Sequence, residues 1–417
     1  MCQKEQRKRS RSVARRLRYV RCVSFFMLGF FSSTITFLIT FYATSNALSN
    51  IISSIFFSNS YNSVLQFPLS PRDAVKNYQP RDFLGKKKSI NYDYYLTYND
   101  FNYRKPETLT YKSRTYSNNT EILFRFPKKT AITAILLMFH SCKHSAYEWF
   151  HTPERQRIIG AALDLGYACL VFQSTDKITK CWSNDVDLYQ NKDIQMVLKG
   201  LEEFYKEYPQ LVSIPRYTFG VSSGGIFSSI LAINQQYRIQ GQIIFISIIL
   251  PEILYTYVKA QNYPPTVWIH MLRDVEFASE ERIKASKQIF IEQNIPCNDF
   301  LIEPLQVKPT IFSERVPTIN SETSYFIYYL FLRNQWLNTH TYLIYNPRRK
   351  LAWQDFLFPQ IEQNHTRARI YKSINDHKNE ISEFLNTIYG EHEISYERSS
   401  EALNWFKELF TSSVKKT

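Results

Sequence analysis

Glycine is scarce in this chain of 417 residues, which contains only 10 of them. Three of these glycines stand together in the hexapeptide Gly220-Val221-Ser222-Ser223-Gly224-Gly225. At this glycine content, a G-x-S-x-G pattern is expected by chance only about 0.02 times in the whole chain. The hexapeptide is therefore the most informative feature of the sequence, and an ordinary tight turn is its weaker interpretation.

The sequence also lacks a run of basic residues interleaved with aromatic residues, and it has no zinc-finger spacing, although its formal net charge is +14. The basic excess is concentrated at one end. Residues 1–22 carry nine Lys or Arg side chains against one Glu, and so supply about +8 of the total. This distribution argues against a nucleic-acid partner.

Charge is absent from residues 23–43, an apolar run of 21 residues. About 20 residues of helix cross a bilayer, so the run predicts a transmembrane signal anchor. The preceding basic residues predict a cytoplasmic N-terminus, which makes a single-pass type II protein with a lumenal or extracellular remainder, in the endomembrane system or at the cell surface. A cleaved signal peptide is the alternative, but its apolar region is normally about 7 to 15 residues long.

Two glycosylation sequons, at Asn118 and Asn364, fit a lumenal chain. Of the six cysteines, Cys2 and Cys22 belong to the basic tail, and Cys22 is placed for palmitoylation at the membrane edge. The other four allow three full disulfide pairings, among which the sequence does not choose. These four are Cys142, Cys169, Cys181 and Cys297.

Strand-like apolar runs alternate with helix-like runs from about residue 121 onward. The strand candidates are Glu121–Phe126, Thr133–Phe139, Ala168–Gln173, Tyr217–Phe219, Gln242–Ile248 and Thr266–Leu272. The helix candidates are Glu154–Leu165, Ile194–Tyr208, Ala278–Gln293 and Glu397–Phe410. The alternation predicts an α/β fold with a mostly parallel sheet and helices on both faces.

The run Tyr325–Leu332 is apolar but far too short to span a membrane, which favours a core or cap helix. It belongs to a stretch that breaks the alternation and is interpreted as a possible cap insertion. The predicted organisation is a basic tail at 1–22, the anchor at 23–43, a stalk and N-terminal extension at 44–120, and the α/β domain at 121–410 with the insertion at 310–390.

The hexapeptide fits a nucleophile elbow, because a β-rich run precedes Ser222 and a helix-compatible run follows it. A serine hydroxyl needs a base to take its proton and an acid to orient that base. In such elbows, the acid and then the histidine follow the serine along the chain. Asp274 is the best acid, because it ends a strand-like run at the edge where crevices form. The weaker candidates are Glu276, Glu252 and Asp299.

Five histidines follow the serine, and His392 is the best candidate for the base. It comes after the Gly390-Glu391 pair and before the last predicted helix. The other four are His270, which lies in a predicted strand, and His340, His365 and His377, which lie in polar stretches. A zinc protease is excluded, because Tyr396 stands where the second histidine of that motif is required.

An oxyanion hole requires backbone N–H groups that face the developing negative charge. The first is predicted to come from Ser223, directly after the nucleophile. The second is predicted to come from the backbone of the loop Ser141-Cys142, which follows the strand Thr133–Phe139. A structural role is expected for the neighbouring His140.

These segments together resemble the α/β-hydrolase superfamily. The block 135–145 is similar to the His-Gly-Cys loop of secreted esterases of the polyhydroxybutyrate depolymerase and feruloyl esterase kind. Over roughly residues 130–410, the chain also resembles a poorly characterised branch of membrane-anchored eukaryotic α/β-hydrolase-like proteins. That likeness depends on four short blocks: Gly166-Tyr167, Cys181-Trp182-Ser183, the hexapeptide, and Gly390-Glu391-His392-Glu393. It implies a serine hydrolase fold without a defined substrate.

The chain departs from the superfamily pattern at two positions. Ser141 stands where glycine is usual, and His392 follows Asp274 by 118 residues, so the intervening insertion must return the chain to the site. The segment Cys181-Trp182-Ser183 is open to several interpretations: it lines the pocket, ties Cys181 to Cys142, packs in the core or forms a plain loop.

The predicted function is a membrane-anchored serine hydrolase that cleaves a small-molecule or lipid-like acyl ester through an acyl-enzyme. No metal or organic cofactor is implied. The alternatives are an acyltransferase, in which an alcohol replaces water, and a catalytically inactive α/β-hydrolase-like binding or adhesion module. A purely structural membrane protein is the last of these alternatives.

Overall fold

The computed structural model describes residues 109–414 apart from 118, 234–237, 261–262, 349–352, 356 and 358–367. The predicted tail and anchor, residues 44–108 of the extension, His365 and the sequon residues Asn118 and Asn364 lie outside this part of the chain. Within it, no helix combines the length and hydropathy that a bilayer crossing requires.

Eight strands form one sheet in the order β1-β2-β4-β3-β5-β6-β7-β8. β3 to β8 are mutually parallel, whereas β2 runs antiparallel to both of its neighbours. The strands are β1 (Lys112–Thr115), β2 (Glu121–Arg125), β3 (Ala134–Phe139), β4 (Tyr167–Phe172), β5 (Arg216–Val221), β6 (Ile239–Phe245), β7 (Thr266–Met271) and β8 (Cys297–Ile302). The predicted α/β class with a mostly parallel sheet is confirmed.

Ten helices with both bounds in the described part of the chain accompany the sheet, besides short 3-10 turns and the helical residues 353–355. They are α1 (Pro153–Asp164), α2 (Lys192–Glu207), α3 (Ser223–Leu231), α4 (Pro251–Ala260), α5 (Glu280–Glu292), α6 (Ile311–Arg315), α7 (Ser321–Arg333), α8 (Ala368–Asp376), α9 (Lys378–Tyr389) and α10 (Ser399–Val414).

Alternate residues of the buried strands enter two separate apolar clusters, one on each face of the sheet. On one face, Leu137 of β3 packs with side chains of α2 to α5, such as Phe227. On the other face, Leu136 packs with side chains of α1 and α10, such as Leu403. The sheet is therefore covered on both faces, which is why its central strands are continuous apolar runs.

A third apolar cluster is built entirely from residues between Val307 and Ile388. It holds fully buried side chains of α6, α7, α8 and α9, among them Phe312, Phe331 and Leu385. The segment after β8 therefore folds around a core of its own before the chain returns to the sheet through α10. It overlaps the range 310–390 that the sequence analysis interprets as an insertion.

Candidate active site

Ser222 lies between the end of β5 and the first residue of α3, with φ 52° and ψ −114°. A positive φ in a non-glycine residue is strained and is typical of sharp functional turns. The backbone N–H of Ser222 donates to Phe245 O at 2.9 Å, which fixes the turn against the end of β6. The side chain consequently projects at the carboxyl edge of the parallel strands.

The glycines around the serine are required by close packing. A Cβ on Gly220 would lie 2.1 Å from Gly224 O, and one on Gly225 would lie 2.0 Å from Ser247 Oγ. A Cβ on Gly224 would lie 2.5 Å from Phe139 O, at the end of β3. This last contact brings the start of α3 against the loop that follows β3.

Ser222, His392 and Asp274 form a continuous hydrogen-bonded series. Ser222 Oγ lies 2.9 Å from His392 Nε2, and His392 Nδ1 lies 2.7 Å from Asp274 Oδ2. With Nδ1–H donating to the carboxylate, Nε2 is left as the acceptor for the serine O–H. The three residues that the sequence analysis selected are thus brought together, in an arrangement able to take a proton from the serine.

Asp274 follows β7 and is only 2% exposed. Its Oδ1 accepts the N–H of Phe277 at 3.1 Å, so both carboxylate oxygens have partners. The ring of Phe277, which is half exposed, lies 4.4 Å from the His392 ring, centroid to centroid. These contacts restrict the imidazole on two sides.

The histidine turn, residues 391–393, follows α9 directly. Gly390 ends that helix with φ 79°, a left-handed conformation that suits glycine. The N–H of Arg273, the residue before Asp274, donates to Gly390 O at 3.1 Å and so joins the turn to the end of β7. Two short chain segments, separated by the whole insertion, therefore meet at the site.

The predicted oxyanion loop is shaped by the buried His140. Its Nδ1 lies 2.8 Å from Ser141 O, and its Nε2 accepts the N–H of Ser174 at 3.2 Å. Burial lowers the pKa of His140 to about 4, so the ring is neutral with the proton on Nδ1. The imidazole links the loop after β3 to the loop after β4, which is the structural role expected for it.

A disulfide joins Cys142 of the predicted oxyanion loop to Cys181 of the loop after β4. Next to it, the N–H of Trp182 donates to Ser223 Oγ at 3.4 Å, and the indole stacks on Phe227 of α3. Ser223 opens α3, and the first N–H groups of a helix have no partner within it. The segments predicted to supply both oxyanion donors are therefore tied together beside Ser222.

The other candidates lie in different settings. His270 pairs with Asp299 at 3.2 Å across β7 and β8, and Lys287 also contacts that carboxylate. The described residues left outside the series are Glu252 in α4, Glu276 and His340, both exposed, and His377, which precedes α9. Cys169 is a buried free thiol and Cys297 a half-buried one.

Arg348, which the sequence patterns do not single out, contacts the histidine turn. Its guanidinium donates to the carbonyls of Glu391 and His392 and pairs with Glu393. Its partners lie 43 to 45 residues further along the chain, so no local pattern marks it.

One group in the described part of the chain has the spacing of a metal site. Ligand atoms of His144, Glu148 and Glu383 lie within 4.8 Å of one another. Arg155, only 1% exposed, lies among them, 3.0 Å from His144 Nδ1 and 3.3 Å from Glu383. The arginine supplies the cation that the carboxylates require.

Comparison with known proteins finds likeness only among solved structures. No protein-family model matches the chain, and no curated protein matches it. Esterase Pf2001 of Pyrococcus furiosus is 16% identical with a TM-score of 0.34, covering 49% of this chain and 88% of its own. Est1E of Butyrivibrio proteoclasticus is 13% identical with a TM-score of 0.34, covering 47% and 90%.

An S-formylglutathione hydrolase of Agrobacterium tumefaciens is 12% identical with a TM-score of 0.36, covering 46% of this chain and 86% of its own. The first of these neighbours is named as an esterase and the last as a hydrolase. The similarity is low, so the chemistry of this chain has to be argued from its own residues.

Proposed function

We propose that the chain is a serine hydrolase that cleaves carboxylic esters through an acyl-enzyme on Ser222. The observation that carries this proposal is the series Ser222 Oγ, His392 and Asp274, with separations of 2.9 and 2.7 Å, on a strained strand-to-helix turn. A bare hydroxyl does not attack an ester at neutral pH, and this arrangement supplies the base that it lacks.

The reaction would proceed in two proton-coupled steps. Ser222 Oγ bonds to the ester carbonyl carbon while its proton passes to His392 Nε2, and Asp274 stabilises the imidazolium that results. When the tetrahedral intermediate collapses, the alcohol leaves with that proton. Water then attacks the acyl-enzyme, gives a proton to the same nitrogen and releases the acid, and the serine recovers its hydrogen.

The negative oxygen of each intermediate would be bound by backbone N–H groups of Ser223 and of the loop Ser141-Cys142. Removing one such donor in a serine hydrolase costs about 100- to 1,000-fold in rate. The support for this assignment is that the disulfide, His140 and the contact of Trp182 with Ser223 hold the two segments beside the nucleophile.

Labelling by a fluorophosphonate tests the proposal on the full-length protein, because this reagent modifies only an activated serine. We expect the parent to be labelled and Ser222→Ala to be unlabelled. Ser223→Ala keeps its backbone N–H and should still be labelled, which identifies the serine that reacts. Asp274→Asn and His392→Ala should each fold and lose several orders of magnitude in rate.

A folded parent that the probe does not label would contradict the proposal and favour the inactive binding or adhesion module. Normal labelling of His392→Ala would move the base to another histidine. If the parent is labelled, acyl esters are screened with water alone and with an added alcohol. Preferential formation of a new ester would indicate acyl transfer in place of hydrolysis.

We also propose that residues 23–43 anchor the protein in a membrane with the hydrolase on the lumenal or extracellular side. The support is the uncharged run of 21 residues behind a basic tail. Alkaline carbonate should leave the protein in the membrane pellet, and glycosidase treatment should increase its mobility if Asn118 or Asn364 carries a glycan. Release as a shortened soluble form would contradict the anchor.

A further inference from the structure

The turn that carries His392 adopts a conformation that its residues do not favour. His392 has φ 35°, in the region that L-amino acids with a side chain rarely occupy. The preceding Gly390 also has a positive φ, but glycine adopts it without a steric penalty. Strain of this kind persists only where neighbouring groups hold the backbone. Something must therefore hold the turn in place.

Arg348 makes contacts with three consecutive residues of the histidine turn. Its Nη1 donates to Glu391 O at 3.2 Å and to His392 O at 3.0 Å, and its Nη2 pairs with Glu393 Oε2 at 2.5 Å. A guanidinium can do this because its N–H donors form a rigid planar fork. A lysine ammonium is a point charge and cannot reproduce the same geometry.

The partners of the arginine are themselves fixed. Glu393 is 7% exposed, and its carboxylate also accepts from Asn386 Nδ2 at 3.3 Å and from Ile394 N at 3.0 Å. Asn346, two residues before the arginine, donates to the carboxylate of Glu391. The contacts of Arg348 with the turn are therefore part of a connected network and not an isolated surface pair.

We propose that Arg348 is a positioning residue that clamps the turn 391–393 and so holds the His392 ring between Ser222 and Asp274. The proposal rests on the function proposed above. Arg348 contacts main-chain carbonyls and a carboxylate and none of the three reacting side chains, so it acts through the backbone of His392. The clamp comes from the segment after β8, and that segment thereby becomes part of the catalytic assembly.

Three variants of the full-length protein test the clamp: Arg348→Ala, Arg348→Lys and the control Arg333→Ala, an exposed arginine of α7 in the same segment. The first readout is the rate of fluorophosphonate labelling, measured beside the thermal midpoint. We expect Arg348→Ala to lose about 10- to 100-fold in rate, the cost of a misplacement of about 1 Å. Arg348→Lys should recover part of the rate, and the control should match the parent.

Adding free guanidinium separates a loss of the clamp from a general loss of structure. It should restore part of the rate to Arg348→Ala and leave the control unchanged, whereas a general loss of structure would not be repaired. If Arg348→Ala does not fold, Arg348→Met carries the same test, because it keeps an unbranched side chain and lacks every N–H donor. Parental labelling of the folded Ala or Met variant would overturn the clamp.

A third readout separates failure of the clamp from failure of the proposed function. The imidazole 15N signals of the eight histidines report tautomers, and His392→Gln identifies the signal of that residue. We expect one Nδ1–H tautomer in the parent and an averaged signal in Arg348→Ala. If the parent is not labelled, the proposed function fails and this spectrum still decides the clamp. An unchanged His392 signal in the folded variant would overturn it.

Discussion

Single residues of the elbow show where the sequence is least free to change. The strain of the turn is borne by Ser222, with φ 52°, and the glycines of the hexapeptide do not have a positive φ. They are needed because backbone and side-chain atoms approach where a Cβ would stand, and Gly224 is pressed against the last residues of β3. The pattern is therefore a packing requirement as well as a chemical one.

Gly224→Ala should destabilise the protein by about 1–3 kcal/mol, the usual cost of overpacking, and should slow probe labelling because the oxyanion loop moves. Gly160→Ala is the matched control, since no atom lies within 4 Å of a Cβ at this position in α1. It should stabilise the protein by about 0.5–1 kcal/mol, because alanine is the better helix former. Urea unfolding measures both. A neutral Gly224→Ala variant would refute the packing argument.

The buried His140 should make stability depend on pH. Burial lowers its pKa from 6.5 to about 4, so between these values the unfolded chain binds a proton that the folded chain excludes. The free energy of unfolding therefore falls as the pH drops from 6.5 toward 4. At pH 5 it should be about 2 kcal/mol lower than above pH 6.5. Urea unfolding at pH 7 and pH 5 should show a smaller loss in His140→Gln than in the parent, with His151→Gln as an exposed control.

The three residues that meet in the hydrogen-bonded series could be located in the sequence because their signals are local. The spacing of three scarce glycines marks Ser222, the end of an apolar run marks Asp274, and a glycine before the last helix marks His392. Arg348 could not be found in this way, because it recognises main-chain carbonyls more than 40 residues away. A carbonyl is present at every residue and leaves no trace in the sequence.

Among the elements, the contact between α1 and α6 holds the chain on its way out of the histidine turn. The guanidinium of Arg315 donates two hydrogen bonds to the carboxylate of Glu154, at 3.1 and 2.8 Å. Both side chains are less than a tenth exposed. The same carboxylate accepts the N–H of Tyr396 at 2.9 Å. One buried acid of α1 thus fixes both the insertion and the segment after His392.

Glu154→Ala should cost about 3–5 kcal/mol, because it leaves the Arg315 charge buried with its main partner gone. Replacing both residues by methionine should cost less than the single change, since the desolvation penalty disappears together with the pair. Urea unfolding of Glu154→Ala and of the double methionine variant gives the comparison. A double variant less stable than Glu154→Ala would contradict this interpretation.

Elements whose residues alternate or form apolar runs were predicted, and those without such a pattern were missed. β8 is half-buried along nearly its whole length, with the sequence Cys-Asn-Asp-Phe-Leu-Ile, so its pattern does not indicate a strand. The opposite error occurs after β6. The apolar run continues to Ile248, but the strand ends at Phe245 because Ile246 turns with φ 46°. Composition alone does not reveal where a chain bends.

At the scale of the whole molecule, a covalent link joins two loops at the carboxyl edge of the sheet. The disulfide between Cys142 and Cys181 closes a loop across 39 positions of sequence, from the proposed oxyanion loop to the segment that carries Trp182. A link of this length restricts the unfolded chain considerably. Disulfides of this kind persist in oxidising compartments, in agreement with the lumenal or extracellular location proposed above.

Replacing both cysteines by serine should lower the free energy of unfolding by about 4 kcal/mol, by the chain-entropy relation for a loop of this size. Cys297→Ser removes a free, half-buried thiol and is the control, with a change of about 1 kcal/mol or less. Denaturant unfolding without reductant measures the difference. Equal stabilities of the double variant and the parent would show that the link does not constrain the unfolded chain.

The distance along the chain between Ser222, the proposed nucleophile, and His392, the proposed base, has a consequence for how the protein is made. Ser222 and His392 are separated by 170 residues, much of which forms the insertion with its own core. A ribosome adds about 5–20 residues per second, so the base is synthesised about 10 to 30 seconds after the nucleophile. Throughout that interval, the nascent polypeptide contains Ser222 without His392, the base proposed for it. The growing chain should therefore remain inert toward esters during translation.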